Sequence, residues 1–584
     1  MVNLKINNIP VTVEEGTTIL DAARQAGINI PTLCYLRNVN KPASCRVCLV
    51  EIKGGRTLVP ACGYTVFEGL EVFTNSKRAI AGRKNSVELI LSNHSKNCLQ
   101  CVRNQNCELQ RLAQEVGARE CRYEGEHTTP HYDDFSNGIV RDTSKCVLCG
   151  RCIETCKQAQ GLGILGFEDR GFKTTVGPVM QVSLKDVNCM QCGQCVTACP
   201  VGALHEKEDI DRVIAALNDP TKKVFVQTAP AVRASLGEEF GMPIGSRVTG
   251  KMAAALRRIG FYRVYDTNFG ADLTIMDEGN EFIERVTTGG VLPMITSCSP
   301  GWVRYAEREY PDILDHLSSC KSPHMMLGAM IKSYYAEKHD IDPKDIFNVS
   351  IMPCIAKKSE IDKPENVKED GQQDVDAVLT TRELGRLIKL YGIDFENLPE
   401  EQFDQDVFGE YSGAGVIFGV SGGVMEAALR TVYETLTNEE LEDVNFHACR
   451  GVVGLKEATL NIKGMEVRIA VAHSMALAKP LLDEVRAGTS PYHFIEIMGC
   501  PGGCINGGGQ SIVPSSVKNA LPPVDWKALR AKALYDEDEI LPVRKSHKNS
   551  QIIELYENYL GKPCSHKAHE LLHTHYGKKD RFTF

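Results

Sequence analysis

Two stretches, CVLCGRCIETC at Cys146–Cys156 and CMQCGQCVTACP at Cys189–Pro200, repeat one pattern: C-x2-C-x2-C-x3-C, the second copy closed by proline. Such a run holds a 4Fe-4S cluster, and where two runs share a fold the fourth cysteine of each ligates the other cluster. Cys146, Cys149 and Cys152 with Cys199 are therefore assigned to one cluster, and Cys189, Cys192 and Cys195 with Cys156 to a second. Repetition at this spacing is very improbable by chance and predicts a two-cluster ferredoxin-like domain over 126–209.

Working outward, sixteen of the chain's 23 cysteines fall between Cys34 and Cys199, and seven are scattered over the rest of the 584 residues. An odd total in a chain this long does not suit a disulfide framework. The composition, 43% hydrophobic and 24% charged, is that of a globular protein of several domains. A net charge of −9 gives no general footprint for nucleic acid. No apolar run is long enough for a membrane span, and the start MVNLKINNIPVTVEEG carries no secretory or twin-arginine signal. A cytoplasmic location, where thiolates stay available to metals, is the expectation.

The first residues alternate polar and apolar on either side of Asn7-Asn8, which predicts a hairpin, and TTILDAARQAG reads as a capped amphipathic helix. Cys34, Cys45, Cys48 and Cys62 follow. A tight pair with two remote cysteines can hold a 2Fe-2S cluster; a zinc site or reactive thiols are the bland alternatives. His94, Cys98, Cys101 and Cys107 come next, as H-x3-C-x2-C-x5-C. Spacing alone does not choose between zinc held by one histidine and three cysteines and a histidine-ligated 4Fe-4S cluster, but position between two iron-sulfur segments favours the cluster. Cys121 is left over and is read as a buried small hydrophobe. Four clusters in so short a span imply an electron path with a consumer or supplier at its end.

Behind residue 210, apolar runs (KVFVQTAPAV, GVLPMIT, NVSIMP, GAGVIFGVSGG) read as buried strands alternating with amphipathic helices, an α/β architecture with largely parallel sheets. Three cysteine motifs follow such strands: TSCSPGW at Thr296–Trp302, MPCIAKKSE at Met352–Glu360 and EIMGCPGGCINGGGQ at Glu496–Gln510. Cys354, Cys500 and Cys504 could converge on one further 4Fe-4S cluster.

With these motifs in this order, the chain resembles the clostridial-type iron-only (FeFe) hydrogenases over nearly its full length. The resemblance implies an α+β multidomain protein. It has a β-grasp 2Fe-2S domain at 1–78, a 4Fe-4S domain with mixed histidine and cysteine ligands at 79–125 and the two-cluster domain at 126–209. An α/β H-cluster domain at 210–515 and a small-subunit-like segment at 516–584, whose helices wrap it, complete the chain. The H-cluster is a cysteine-held 4Fe-4S cluster joined to a diiron unit bearing CO, cyanide and an azadithiolate. Carried over by position, Cys504 bridges the two parts, Lys357 hydrogen-bonds a cyanide, and Met352 and Met498 pack against the diiron unit. Cys298, Glu278, Ser318, Glu281 and Arg285 match the family's proton relay.

Three positions depart from the family. Ser299 stands where a cysteine ligates the cubane, so either serine ligates or Cys298 leaves the relay for the ligand role; ligation by Ser299 is the expectation. Ala231, after Pro230, replaces a serine, and His324 replaces a glutamine. Both are expected near the diiron unit. In the tail, His566, His569, His573 and His575 form a cluster in which no metal site is expected, and Cys320, Cys449 and Cys564 have no role assigned.

The implied reaction is H2 to and from two protons and two electrons, wired through four relay clusters. Implied partners are ferredoxin, an NADH-oxidising flavoprotein with small iron-sulfur subunits, and maturation proteins that supply the diiron unit. No flavin or dinucleotide fingerprint is present, so another subunit would bind NAD. The departures tilt the reading toward a subunit of an electron-bifurcating complex over a stand-alone ferredoxin hydrogenase. The alternative is a non-catalytic hydrogenase-like iron-sulfur protein without the diiron site, supported by Ser299 and opposed by the unbroken MPCIAKKSE. A pure electron-transfer subunit would leave the rear motifs idle.

Overall fold

A computed structural model describes residues 1–462 and 464–582. The chain divides into two compact units. One comprises Met1–Val187, Gln194–His205 and Val513–Val524, the other Asn188–Gly193, Glu206–Ile512 and Asp525–Phe584. The second therefore takes in a short piece of the second ferredoxin run, including Cys189 and Cys192, while Cys195 and Cys199 stay with the first.

In the first unit, strands Val2–Ile6 and Ile9–Val13 pair antiparallel around Asn7 and Asn8. Both asparagines are left-handed (φ 51° and 69°), as a two-residue primed turn requires. Val2, Leu4 and Ile6 point into the core and Asn3 and Lys5 outward, the period-two pattern seen in the sequence. The Thr18 hydroxyl accepts from the Asp21 N–H to cap the helix Ile19–Gln25. Strand Glu71–Phe73 joins Val2–Ile6 in parallel and Leu49–Ile52 antiparallel, completing a five-stranded mixed sheet. The helix Lys77–Asn93 then delivers His94 at its end, and the helix Glu108–Glu115 begins directly after Cys107. One buried guanidinium ties these pieces together: Arg151 donates to Glu108 Oε1 (2.9 Å), Ser515 Oγ (2.9 Å) and the Tyr35 carbonyl (3.1 Å). A fully buried arginine is tolerable only with such pairing.

The second unit is built on two sheets. Strands Lys223–Thr228, Arg263–Asp266, Ile346–Met352 and Ala377–Thr380 form a wholly parallel sheet. Strands Met294–Ile295, Phe494–Met498 and Met465–His473 run parallel in the other, and Lys456–Ile462 is its antiparallel edge. Helices cover the sheets, so the central strands are almost continuously buried. The expected strand over GAGVIFGVSGG is instead helical: Gly413–Ile417, a turn, then the helix Gly423–Thr437. A short apolar run does not distinguish a strand from a buried helix, and its glycines are there for close approach. A Cβ on Gly413 would lie 2.0 Å from Asp538 Oδ1, and one on Gly415 2.7 Å from the Asn268 carbonyl. Asp538 belongs to the tail helix Trp526–Ile540, which packs on Gly413–Ile417. Arg430 clamps that carboxylate with two 2.9 Å bonds. Cys121, expected to be buried, is half-buried, its thiol donating to the Glu88 carbonyl. Among the described residues no helix is long and apolar enough to cross a membrane.

Candidate functional site

Each of the three rear cysteine motifs leaves a strand end and turns into one cavity. Ligands in α/β folds commonly sit beyond the carboxyl ends of strands, where backbone direction and loop freedom coincide. Cys298, Ser299, Cys354, Cys500 and Cys504 line the cavity, with Pro230, Ala231, His324, Met352, Lys357 and Met498. All eleven cavity positions singled out in the sequence are thus brought together. Glycine makes the close approaches possible: a Cβ on Gly507 would lie 2.0 Å from the Pro353 carbonyl, and one on Gly503 2.4 Å from the Ser421 nitrogen. Four such cysteine sulfurs beside an apolar wall suit a soft metal cluster rather than a hard cation. The Ser299 hydroxyl accepts a 3.2 Å bond from the Gly499 N–H. The Ala231 methyl offers no donor, and its carbonyl is held by Gln510 Nε2 at 2.8 Å.

Among the described residues, Lys357 is the one lysine or arginine lining the cavity. Its Nζ reaches the Cys298 carbonyl (3.1 Å) and Glu360 Oε2 (2.8 Å). Glu360 Oε2 also faces His324 Nε2 at 2.6 Å, and His324 Nδ1 faces the Ser350 hydroxyl at 3.0 Å. Burial, then the nearby Lys357 ammonium, pushes His324 down to about 4. Against burial, Lys357 and His324 hold the Glu360 carboxyl at about 2. The neutral imidazole consequently donates from Nε2 and accepts at Nδ1, a tautomer assigned from this network. Glu360 was part of the quoted motif without a role, and Ser350 was missed: nothing local in sequence links it to His324, 26 residues away.

Behind Cys298 runs a second polar line. Glu278 and Glu281 lie on one face of the helix Thr267–Thr288. Burial first, then the Glu281 charge, raises the Glu278 carboxyl to about 8, and Ser318 hydrogen-bonds it in partial opposition. Glu278 Oε2 finds no hydrogen-bond partner among the described residues. The Ser318 hydroxyl donates to Glu281 Oε2 (2.9 Å), and Arg285 Nη2 pairs with Glu281 Oε1 (2.6 Å). The half-buried Cys298 thiol has its ionisation suppressed by burial and then by Glu278. Cys298 and Glu278 are thus both held toward their neutral forms within electrostatic reach of one another, and Ser318 joins Glu278 to the half-buried Glu281 carboxylate.

In the first unit the expected ligand sets also converge. The Cys34 N–H donates to Cys45 Sγ (3.5 Å), and the thiols of Cys34, Cys45, Cys48 and Cys62 lie close enough to shift one another's ionisation. His94, Cys98, Cys101 and Cys107 line one cavity. His94 Nδ1 is buried without a hydrogen-bond partner among the described residues, and burial keeps the imidazole neutral, the form that binds metal. Cys146, Cys149, Cys152 and Cys199 line a further pocket, where burial raises the first two thiols to about 12.

Comparison with known proteins agrees with this chemistry. The family described as iron only hydrogenase large subunit, C-terminal domain, matches residues 222–508, and iron hydrogenase small subunit matches 524–579. A 2Fe-2S binding domain matches 1–77, the NADH-ubiquinone oxidoreductase-G iron-sulfur region 83–122, and a 4Fe-4S dicluster domain 145–203. The chain is 48% identical to the NADP-reducing hydrogenase subunit HndD of Solidesulfovibrio fructosivorans, covering 100% of both chains. It is 43% identical to iron hydrogenase 1 of Clostridium pasteurianum, over 99% of this chain and 100% of that one. The chain belongs to the iron-only (FeFe) hydrogenase family. Among solved structures, an FeFe-hydrogenase of Chlamydomonas reinhardtii superposes with a TM-score of 0.56 at 43% identity, covering 63% of this chain and 98% of that one. The hydrogenase thus has iron-sulfur domains for electron relay ahead of an H-cluster domain, and the non-catalytic reading is not favoured.

Proposed function

We propose that this hydrogenase interconverts H2 with two protons and two electrons in the cysteine-lined cavity, with the domain bounds of the sequence reading. Its relay comprises one 2Fe-2S cluster on Cys34, Cys45, Cys48 and Cys62, one 4Fe-4S cluster on His94, Cys98, Cys101 and Cys107, and two on the ferredoxin runs. For Cys146, Cys149, Cys152 and Cys199 the shared pocket supports the assignment; for Cys156, Cys189, Cys192 and Cys195 the spacing does.

Cys354, Cys500, Cys504 and Ser299 would hold the cubane, and Cys504 the diiron unit, which supplies a redox metal and a basic amine when bound. Ser299 takes the fourth ligand place because Cys298 is occupied elsewhere: its thiol is the first group of the proton line. Lys357 places a positive charge against anionic cyanide, and Glu360 and His324 fix the direction of that ammonium. Met352, Met498 and Pro230 exclude water, and Ala231 removes a donor the family usually has. Glu278, neutral near pH 7 and lacking an acceptor or donor at Oε2, receives a proton from Cys298. It passes protons through Ser318 to Glu281, which Arg285 holds at the outer end.

The match of the whole chain to an NADP-reducing hydrogenase subunit supports work within a multisubunit, NAD(P)-linked complex, to which the reading adds the cytoplasmic location expected from the sequence. There ferredoxin and a flavoprotein with small iron-sulfur subunits would exchange the electrons. The single observation that carries the reading is the convergence of all three motifs on one cavity, with Cys298 on its wall. Loaded anaerobically with its diiron unit by maturation proteins, the chain should evolve H2 from reduced viologen and show infrared bands of iron-bound CO and cyanide; absence of both would overturn it. Ser299→Cys tests the serine ligand. It should retain cubane iron and change the cubane's electron paramagnetic resonance signal, whereas an unchanged signal would assign the ligand to Cys298.

A further inference from the structure

The carboxyl-terminal segment meets the helix Thr267–Thr288 at Asp277, four residues before the outer relay carboxylate Glu281. Here Cys564, His569 and His573 each offer a ligand atom, and the three atoms lie within 4.8 Å of one another. The spacing is C-x4-H-x3-H, with both histidines at the helix His566–Leu572, one turn apart, and their rings 4.0 Å between centroids. We propose that Cys564, His569 and His573 form a structural zinc site, with the Asp277 carboxylate at hand for the fourth position, and that the ion staples the carboxyl-terminal segment to the helix carrying the proton line.

Four features support it. One sulfur, two imidazoles and a carboxylate match the borderline softness of zinc, and tetrahedral bonds of ~2.0–2.3 Å bring ligand atoms to edges of ~3.5 Å. Second, the outer contacts are in place. His573 Nδ1 is held by the Ser319 hydroxyl at 2.8 Å, which orients the ring and directs Nε2 to the site, 3.2 Å from Asp277 Oδ1. Third, Cys564 is fixed against the same aspartate: its N–H donates to Asp277 Oδ1 (2.7 Å) and its thiol points to the Asp277 carbonyl (3.5 Å). It holds a left-handed backbone (φ 55°), a conformation that persists in a non-glycine residue only where surroundings impose it. Fourth, His569 is exposed while His573 is buried, so the site has an entry path from solvent. Binding converts the thiol to a thiolate and releases its proton to solvent. The four-histidine cluster was not expected to hold a metal from sequence; the fold selects two of its members and adds a cysteine.

A second triad, Glu281, Cys320 and His573, also lies within 4.8 Å and would take the relay's own carboxylate. The test separates the two. The iron-replete full chain, purified anaerobically, is equilibrated with one equivalent of zinc sulfate and desalted, then measured for zinc, iron and zinc K-edge absorption. The expected result is one zinc per chain with a single Zn–S distance of ~2.3 Å and otherwise N/O ligands. Cys564→Ser and His569→Ala should each retain less than a tenth of that zinc with iron content unchanged, and chelation should speed amide exchange across 561–573 in the unsubstituted chain alone. No bound zinc, zinc kept by both variants, or loss on Cys320→Ser instead of Cys564→Ser would overturn the proposal.

Discussion

Replacing Glu278 by glutamine should weaken turnover and strengthen the fold at once, and the second effect is the less obvious. Burial and the neighbouring Glu281 raise this carboxyl to about 8. The folded state therefore binds a proton that the unfolded chain has lost by pH 5–6. For a group raised on folding, the stabilising contribution is fully present below the unfolded value near 4.5 and is lost as pH rises toward 8. At about 1.4 kcal/mol per pH unit, keeping Glu278 neutral costs the native state ~3 kcal/mol at pH 7. Glu278→Gln has no such term, and its amide gives the unpartnered Oε2 position a donor. The variant's stability advantage should widen by ~2–3 kcal/mol between pH 6 and pH 8. Anaerobic thermal scans of cluster-loaded wild type and variant at the two pH values read that widening as several degrees in Tm. Hydrogen evolution should fall by ~10²–10⁴, the usual share of a positioned acid–base group. A gap that stays flat with pH would refute the raised carboxyl, and retention of more than a tenth of the activity would refute its place in the relay.

Two other substitutions probe what surrounds the cavity. Glu360→Gln leaves Lys357 and His324 facing one neutral amide where a carboxylate accepted both. Breaking a buried ion pair from one side costs ~3–5 kcal/mol, so the rear unit should lose several degrees in Tm and the cyanide infrared bands should move; unchanged bands would separate Lys357 from the diiron unit. Asp538→Asn removes the carboxylate that accepts from Arg430 and Arg544. It should cost a similar ~3–5 kcal/mol and expose the Trp526–Ile540 helix to proteolysis, whereas a protease-resistant variant would show the tail held chiefly by apolar packing.

Metal chemistry was the legible part of this chain because thiolate ligands come in short fixed spacings that survive without any knowledge of the fold. Cys146–Cys156 and Cys189–Pro200 announce their clusters in a dozen residues each. The hairpin around Asn7-Asn8 and the helix capped by Thr18 were equally local, being decided by left-handed backbone and one hydroxyl. GAGVIFGVSGG failed for the opposite reason. Its apolar content says only that it is buried, and the deciding neighbours, Asn268 and Asp538, lie more than a hundred residues away in either direction. The network of His324 with Ser350 and Glu360 was invisible for the same reason, although both its departure from the family and its motif were in view.

The departures acquire their physical sense from those distant neighbours. A glutamine at 324 would present an amide to Glu360. The histidine presents a ring whose second nitrogen is committed to Ser350, so the Glu360 acceptor, and through it the Lys357 ammonium, is anchored from the strand Ile346–Met352. Ser299 sits opposite in character: among the described residues its hydroxyl has one hydrogen bond, 3.2 Å from the Gly499 N–H, leaving lone-pair capacity toward the cavity. Under the proposed ligation, rigid charge on one wall would stabilise anionic cyanide, while a harder oxygen ligand on the other would raise charge at the cubane. Tuning of the site would then be carried by residues that no single motif contains.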